Sequence, residues 1–267
     1  MTSIVQERGR AGVGISGVLL DLGGIIYVGD APIEGAIDAV KRLRDAGLPL
    51  RFITNTTRRC KRQVREDLAR MGVDVSDEEL LTPALLARAY LERHGLSPFL
   101  LVHPDLEEDF TGLASSGGEA VIVGDAGETF TYDRLNRAYR RLTGGAEFLA
   151  LAMNRNFKDA DGDLSLDAGP FVAALEFAAN RKAILFGKPS AEFFGTAVHD
   201  LRRSASTVVM IGDDAEADVG GAIAAGLKGI LVRTGKYRAG DENKLHSRPD
   251  YLAATLDEAV GWILANR

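Results

Sequence analysis

The chain has 267 residues, of which 46% are hydrophobic and 26% are charged, and its formal net charge is −6. These proportions are typical of a folded protein with a sizeable core and exclude a disordered chain. The charges are interspersed, and their acidic balance argues against a nucleic-acid partner.

The cysteine content and the hydropathy pattern bear on the cellular compartment. Cys60 is the only cysteine, so neither an intrachain disulfide nor a multi-cysteine metal site can form. The first residues lack the apolar stretch of a signal peptide, and no apolar run reaches the roughly eighteen residues of a membrane span. The sequence therefore predicts a cytoplasmic protein without a membrane partner.

Short apolar runs and helical repeats alternate from residue 17 onward, which is typical of βαβ units and a parallel sheet. The first strand is predicted at 18–20 and the second at 50–53. A helix is predicted between them over 34–46, and Gly47 suits the left-handed position just beyond its end.

The middle of the chain has elements of its own. Strands are predicted there at 99–102, 120–123 and 148–152, and helices at 132–142 and 171–179. The strand and helix alternation then returns with strands at 183–186, 207–211 and 229–232. We therefore predict a second α/β domain, residues 81–182, inserted into a first one formed by residues 1–80 and 183–267.

An acidic residue ends the first predicted strand. The sequence LLDLGG places Asp21 at the carboxyl end of that strand, where open parallel sheets bind their ligands. Gly23 and Gly24 permit a tight turn that brings the backbone close to a ligand. Taken alone, the pattern fits an ordinary turn equally well.

Donor side chains occur at two later points. Thr54 and Asn55 directly follow the second strand, and their hydroxyl and amide groups can bind phosphate oxygens or cap a helix. Lys188 lies just beyond the strand at 183–186, and Pro189 is predicted to open the next helix. A lysine at this point can neutralise a phosphoryl group, although by itself it is also an ordinary loop lysine.

An acidic cluster follows the strand at 207–211. Asp213, Asp214 and Asp218 repel one another strongly unless a cation lies among them. An oxygen-ligated Mg²⁺ ion resolves this repulsion, and solvated acids that cap a helix are the alternative. A second acidic run, from Asp159 to Asp167, imitates a calcium loop but has Leu164 where glycine is required, so a polar turn between two strands is predicted.

Taken in chain order, these features resemble the four motifs of the haloacid dehalogenase superfamily. The resemblance implies that Asp21 is the nucleophile, that Thr54 and Lys188 represent the second and third motifs, and that Asp213 and Asp218 form the fourth. The inserted segment is similar to the larger α/β cap of subfamily IIA. The implied fold is a three-layer Rossmann-like core with a parallel sheet and an inserted cap domain.

Longer stretches resemble a narrower family, the phospholysine phosphohistidine inorganic pyrophosphate phosphatases and their near relatives, over about residues 17–264. These stretches are DAGETFTYDRLNRAYRRL, DAGPFVAALEFAA, GKPSAEFF, MIGDDAEADVGGA and LVRTGKYR. The resemblance implies a small phosphorylated substrate or phosphoamino acid, and it makes a homodimer through the cap plausible.

The resemblance also implies a set of site residues. Mg²⁺ would be held by Asp21, by the backbone carbonyl of Gly23 and by Asp213, with Asp218 behind these direct ligands. The substrate would contact Asp21, Leu22, Gly23, Thr54, Asn55 and Lys188.

Gly23 departs from the superfamily pattern. In most phosphatases of the superfamily the residue two after the nucleophile is a second Asp, which protonates the leaving group and later activates water. General acid catalysis contributes about 10² to 10⁴ in rate, and its loss matters least for good leaving groups. We therefore predict an Mg²⁺-dependent phosphatase that forms an aspartyl phosphate and favours pyrophosphate, phosphohistidine, phospholysine and aryl phosphates.

Two other functions remain open at this point. One is a hydrolytically weak module that binds phosphorylated ligands or proteins, its turnover lost together with the acid at Gly23. The other is a receiver-like phosphoacceptor, which uses the same Asp, Thr and Lys types, but the large insertion and the chain length disfavour it.

Overall fold

The computed structural model describes residues 14–113, 117–158 and 163–267. The first thirteen residues, and positions 159–162 of the acidic run predicted to form a polar turn, lie outside the described part. The strands are β1 Gly17–Asp21, β2 Tyr27–Val28, β3 Ala31–Pro32, β4 Leu50–Ile53, β5 Leu80–Leu81, β6 Ser97–Leu101, β7 Glu119–Val123, β8 Glu147–Ala150, β9 Asn156–Lys158, β10 Leu164–Leu166, β11 Ile184–Leu185, β12 Val208–Gly212, β13 Lys228–Val232 and β14 Tyr251–Ala253.

Eight α-helices accompany these strands within the described residues. They are α1 Ala36–Asp45, α2 Lys61–Arg70, α3 Pro83–His94, α4 Tyr132–Thr143, α5 Ala168–Ala179, α6 Ala191–Leu201, α7 Gly221–Ala224 and α8 Leu256–Ala265. Short 3₁₀ turns lie at Pro104–Phe110, Gly127–Thr129, Ala205–Thr207 and Asp241–Lys244, and a π-helical turn lies at Ala215–Gly220.

Six strands form a parallel sheet, called the main sheet below, in the order β14-β13-β12-β1-β4-β5. All five residues of β1 are buried, as expected for a central strand covered on both faces. Because the strands are parallel, the carboxyl ends of β1, β4, β12 and β13 meet at one edge. The predicted α/β fold with a parallel central sheet is confirmed.

Four further strands form a second parallel sheet in the order β11-β8-β7-β6, against which α4 and α5 pack. The strand predicted at 183–186 is shorter, Ile184–Leu185, and pairs with β8 of this second sheet. An apolar run predicts that a strand forms but does not determine which strand it pairs with. The domain boundaries at residues 81 and 183 stay a prediction.

The helix ends follow from capping chemistry. Gly47 has a φ of 69° just beyond α1, as predicted for a left-handed position. The prediction that Pro189 opens a helix is wrong, because α6 begins at Ala191 and Ser190 caps it by accepting the Phe193 N–H. The hydroxyl of Ser190 satisfies a free N–H of the first turn, so the helix starts after the proline.

The two sheets share one hydrophobic cluster. Leu19 of β1 and Ile53 of β4 belong to the same buried cluster as Ile122 of β7 and Leu149 of β8. The units therefore pack against each other through apolar side chains. No helix in the described ranges is both long enough and apolar enough to cross a membrane.

Candidate active site

Asp21 is the last residue of β1, and its side chain lies at the carboxyl edge of the main sheet. Lys188 donates a hydrogen bond of 2.6 Å from Nζ to Oδ1 of Asp21, and the same ammonium lies 2.6 Å from Oδ1 of Asp218. Burial alone would lower the pKa of Lys188, but the two carboxylates raise it above its usual range. Lys188 is therefore a buried cation held between two acids.

Three buried carboxylates meet beside this lysine. Ligand oxygens of Asp21, Asp213 and Asp218 all lie within 4.8 Å of one another. Burial raises the pKa of both Asp213 and Asp218, and the charge of Asp21 adds to the effect. One lysine cannot balance three such acids, and all the ligand atoms offered are oxygens. The cluster thus fits a hard divalent cation such as Mg²⁺.

Asp214 has a different role from its neighbours. Its Oδ1 accepts hydrogen bonds from the N–H groups of Glu216 and Ala217, so it caps the π-helical turn Ala215–Gly220. The helix-cap alternative therefore describes Asp214, whereas Asp213 and Asp218 lie in the carboxylate cluster.

The loop after Asp21 approaches Asp213 closely. The carbonyl of Leu22 accepts the Ile26 N–H at 2.8 Å, which folds the loop back on itself. Gly24 has a φ of 81°, and a Cβ there would lie 2.0 Å from Oδ2 of Asp213. At Gly23 an added Cβ would meet no atom within 4 Å. Glycine is thus required at position 24 but not at position 23.

Thr54 and Asn55 lie at the same edge, beyond β4. Thr54 is buried, and its Oγ1 accepts the Thr56 N–H at 3.1 Å. The side chain of Asn55 accepts the Lys188 N–H at 2.8 Å and donates to the Lys188 carbonyl at 2.9 Å. Neither residue caps α2, whose N-cap is Cys60. Asn55 therefore holds the backbone of the buried lysine.

Sequence reasoning assigned no role at the site to the loop that follows β13, although the stretch LVRTGKYR was among those that resemble the narrower family. Thr234 donates from Oγ1 to the carbonyl of Gly24 at 2.5 Å, and the Lys236 N–H donates to Oδ2 of Asp213 at 2.6 Å. The sequence did contain a signal for this loop. A parallel strand was predicted at 229–232, and the loop after it is expected at the sheet edge that carries Asp21.

Two family models match the chain. The model described as Haloacid dehalogenase-like hydrolase matches residues 18–114, and the one described as HAD-hydrolase-like matches residues 185–259. The first range contains Asp21 and Thr54, and the second contains Lys188, Asp213 and Asp218.

Whole-chain comparisons agree with these matches. Haloacid dehalogenase-like hydrolase domain-containing protein 2 of Rattus norvegicus is 43% identical over 94% of this chain and 96% of that protein. Phospholysine phosphohistidine inorganic pyrophosphate phosphatase of Danio rerio is 42% identical over 95% of this chain and 96% of that protein. The crystal structure of a 4-nitrophenylphosphatase from Thermotoga maritima has a TM-score of 0.84 at 28% identity, covering 92% of this chain and 97% of that one. The chain therefore belongs to the haloacid dehalogenase-like hydrolases, in subfamily IIA of that superfamily.

Proposed function

We propose that this protein is an Mg²⁺-dependent phosphatase that forms an aspartyl phosphate on Asp21. The observation that carries the proposal is the placement of Asp21 at the sheet edge, where it is paired with the ammonium of Lys188 and clustered with the buried carboxylates of Asp213 and Asp218. Phosphatases among the similar proteins support the same reaction class.

The reaction takes place in two steps. An oxygen of Asp21 bonds to phosphorus while the bond from phosphorus to the leaving group breaks, and the electron pair departs with that group. Water then attacks phosphorus, which releases phosphate and regenerates the Asp21 carboxylate. Lys188 binds Oδ1 of Asp21, so the second oxygen is left for the attack.

The surrounding groups stabilise the charge that develops on phosphorus. Lys188, Thr54 and the backbone N–H groups of the loop after Asp21 are assigned to the transferring oxygens. Asp21, the carbonyl of Gly23 and Asp213 would hold Mg²⁺, with Asp218 behind them. When bound, the ion neutralises phosphoryl oxygens and reduces their repulsion from Asp21.

Gly23 limits the substrates that react quickly. It offers no proton to the leaving group, so substrates whose leaving group needs no acid are favoured. Pyrophosphate, phosphohistidine, phospholysine and aryl phosphates have this property. The names of the Danio rerio and Thermotoga maritima proteins fit this chemical range.

Phosphate release tests the proposal directly. Wild type is assayed with pyrophosphate, phosphohistidine, p-nitrophenyl phosphate and a sugar phosphate, with and without Mg²⁺. We expect Mg²⁺-dependent release, and a loss of about 10³-fold or more in Asp21→Asn because the nucleophile is gone. Asp38→Asn, an exposed residue of α1, is the control. Full turnover by Asp21→Asn, or binding without release by wild type, would contradict the proposal.

A further inference from the structure

We infer that Lys236 binds the part of the substrate that leaves, and that it favours leaving groups carrying negative charge, such as the second phosphoryl group of pyrophosphate. The inference rests on the proposed phosphatase function and adds to it a residue that discriminates between substrates.

The backbone of Lys236 is fixed to the reaction centre. Its N–H is bonded to Asp213, and Thr234 is bonded to the loop that carries Gly24. Between them, Gly235 passes so close that an added Cβ would lie 2.5 Å from the Cα of Gly24 and 2.0 Å from Oδ2 of Asp213. The point from which the Lys236 side chain starts is therefore set by the same residues that surround Asp21.

The ammonium of Lys236, in contrast, is loosely held. It lies 3.8 Å from Oδ2 of Asp214, which is beyond hydrogen-bond distance, and its side chain is 56% exposed. Asp214 already uses its other oxygen to cap the π-helical turn. The Lys236 ammonium thus retains hydrogen-bonding capacity for a ligand.

Two other cationic side chains near the site, those of Lys188 and Arg58, already have close partners within the protein. Lys188 is 3% exposed and lies 2.6 Å from both Asp21 and Asp218. Arg58, in the loop beyond Thr54, donates to Asp125 at 2.5 Å and stacks on the ring of Phe157. Lys188 can serve the transferred phosphoryl group, but neither cation is free to follow the leaving group.

The backbone contacts of Lys236 place it beside the path of the leaving group. In an in-line displacement the leaving atom lies opposite the attacking oxygen, so it points away from the edge of the main sheet. The N–H of Lys236 lies 2.6 Å from Oδ2 of Asp213, and Asp213 and Asp21 bring ligand oxygens within 4.8 Å of each other at that edge. The side chain of Lys236 therefore starts at the edge from which the leaving group departs.

Two acids of the unit that contains the second sheet, Asp125 and Asp167, do not strongly oppose an anionic leaving group. Asp125 is paired with Arg58, and its Oδ1 accepts the Gly127 N–H. Asp167 accepts the Ala168 N–H at 2.6 Å, and burial raises its pKa. The loosely held ammonium of Lys236 is thus the group best placed to select by charge.

The test compares two substrates that differ in the charge of the leaving group, pyrophosphate and p-nitrophenyl phosphate. In Lys236→Met the ratio of the KM for pyrophosphate to the KM for p-nitrophenyl phosphate should rise about tenfold, because one charge-assisted contact is lost. Lys236→Arg should keep most of the wild-type ratio. Lys228→Met is the matched control, since Lys228 begins β13 at the opposite end of the strand and lies 3.9 Å from Asp250.

A binding measurement separates the inference from the proposed function. Calorimetric titration with methylenediphosphonate, which cannot be hydrolysed at its bridge, should show affinity reduced about tenfold in Lys236→Met relative to wild type. Equal changes for both substrates and unchanged diphosphonate affinity would overturn the inference while leaving the phosphatase proposal intact. Absence of phosphate release by wild type, with diphosphonate binding that depends on Lys236, would overturn the phosphatase proposal instead.

Discussion

Gly23 and Gly24 are adjacent in the chain, but they are glycines for different reasons. The positive φ of Gly24 and its contact with Asp213 leave no space for a side chain. The surroundings of Gly23 are open, so packing does not explain why the usual acid is missing there. The fold would accommodate an acid at position 23, so its absence bears on the reaction that the site performs and not on packing.

A carboxyl group restored at this position should change the choice of substrate. Gly23→Asp adds a proton donor where an added Cβ meets no atom within 4 Å. Turnover of alkyl phosphates should rise relative to turnover of pyrophosphate by up to about 10²-fold, because only the alkoxide leaving group needs the acid. Gly23→Ala, which adds the Cβ alone, is the control. An unchanged ratio of the two turnover rates would argue against this account.

Residue types at strand ends could be predicted to share one edge, but the partners of individual side chains could not. Asp21 ends β1, while Thr54 and Asp213 directly follow β4 and β12 of the same parallel sheet, so periodicity alone brings them together. The pairing of Asn55 with Lys188 spans 133 positions, and no local pattern predicts it. No role was predicted for Lys236, because a single lysine in a loop has no spacing that sets it apart.

At the level of elements, Asn55 links the loop beyond β4 to the loop that precedes α6. Its amide forms two hydrogen bonds with the backbone of Lys188, and its Nδ2 lies 3.5 Å from Oδ1 of Asn154. The position of the buried ammonium thus depends on a residue that does not touch it.

Removal of this link should misplace Lys188. In Asn55→Ala we expect kcat/KM to fall about 10- to 100-fold, because a displacement near 1 Å at a catalytic group costs this much. The free energy of unfolding should fall by about 1–3 kcal/mol, since polar backbone groups lose their partners. Asn266→Ala removes an exposed hydrogen bond to Trp262 in the C-terminal helix and is the control. Wild-type kinetics in Asn55→Ala would show that the Lys188 loop holds itself in place.

The end of α1 was predicted correctly, whereas the start of α6 and the partner of β11 were not. The left-handed glycine after α1 follows from one residue and its neighbours, so Gly47 was identified correctly. The pairing of β11 with β8 depends on how the whole inserted segment folds, and the apolar run at 183–186 does not predict it. Local backbone preferences can be read from a sequence, whereas the choice between two sheets cannot.

At the scale of the whole molecule, the charge of the site affects stability. The carboxylates of Asp21, Asp213, Asp214 and Asp218 all act on Lys236, and the buried Lys188 is the other cation among them. Four acids thus meet two ammonium groups, which leaves two negative charges uncompensated when all the groups are ionised. Burial of this excess opposes folding unless a cation or protons offset it.

The pH dependence of stability follows from the raised pKa of Asp213. Because burial raises this pKa, the folded protein binds the proton more tightly than the unfolded chain does. The stabilising contribution is complete below about pH 4 and is lost as the pH rises through the folded-state pKa, at up to about 1.4 kcal/mol per pH unit. Without divalent ions, Asp213→Asn should therefore gain stability over wild type from about pH 4 toward neutrality.

Urea denaturation at a series of pH values, with and without Mg²⁺, measures this difference. Saturating Mg²⁺ should reverse the order at neutral pH, because wild type binds the ion and Asp213→Asn has lost a ligand. Asp38→Asn, on the exposed face of α1, should follow wild type throughout. A difference between Asp213→Asn and wild type that does not vary with pH would contradict the assigned burial effect.

The hydrophobic cluster shared by the two sheets restricts which segments of this protein can be exchanged with those of a relative. Leu19 and Ile53 on one side belong to the same buried cluster as Ile122 and Leu149 on the other. A segment transplanted from a relative between α3 and α6 would bring its own contours to that boundary, and mismatched methyl groups there would leave voids or collisions. A chimera made to exchange substrate preference will therefore have to take the residues on both sides of this hydrophobic cluster from the same protein.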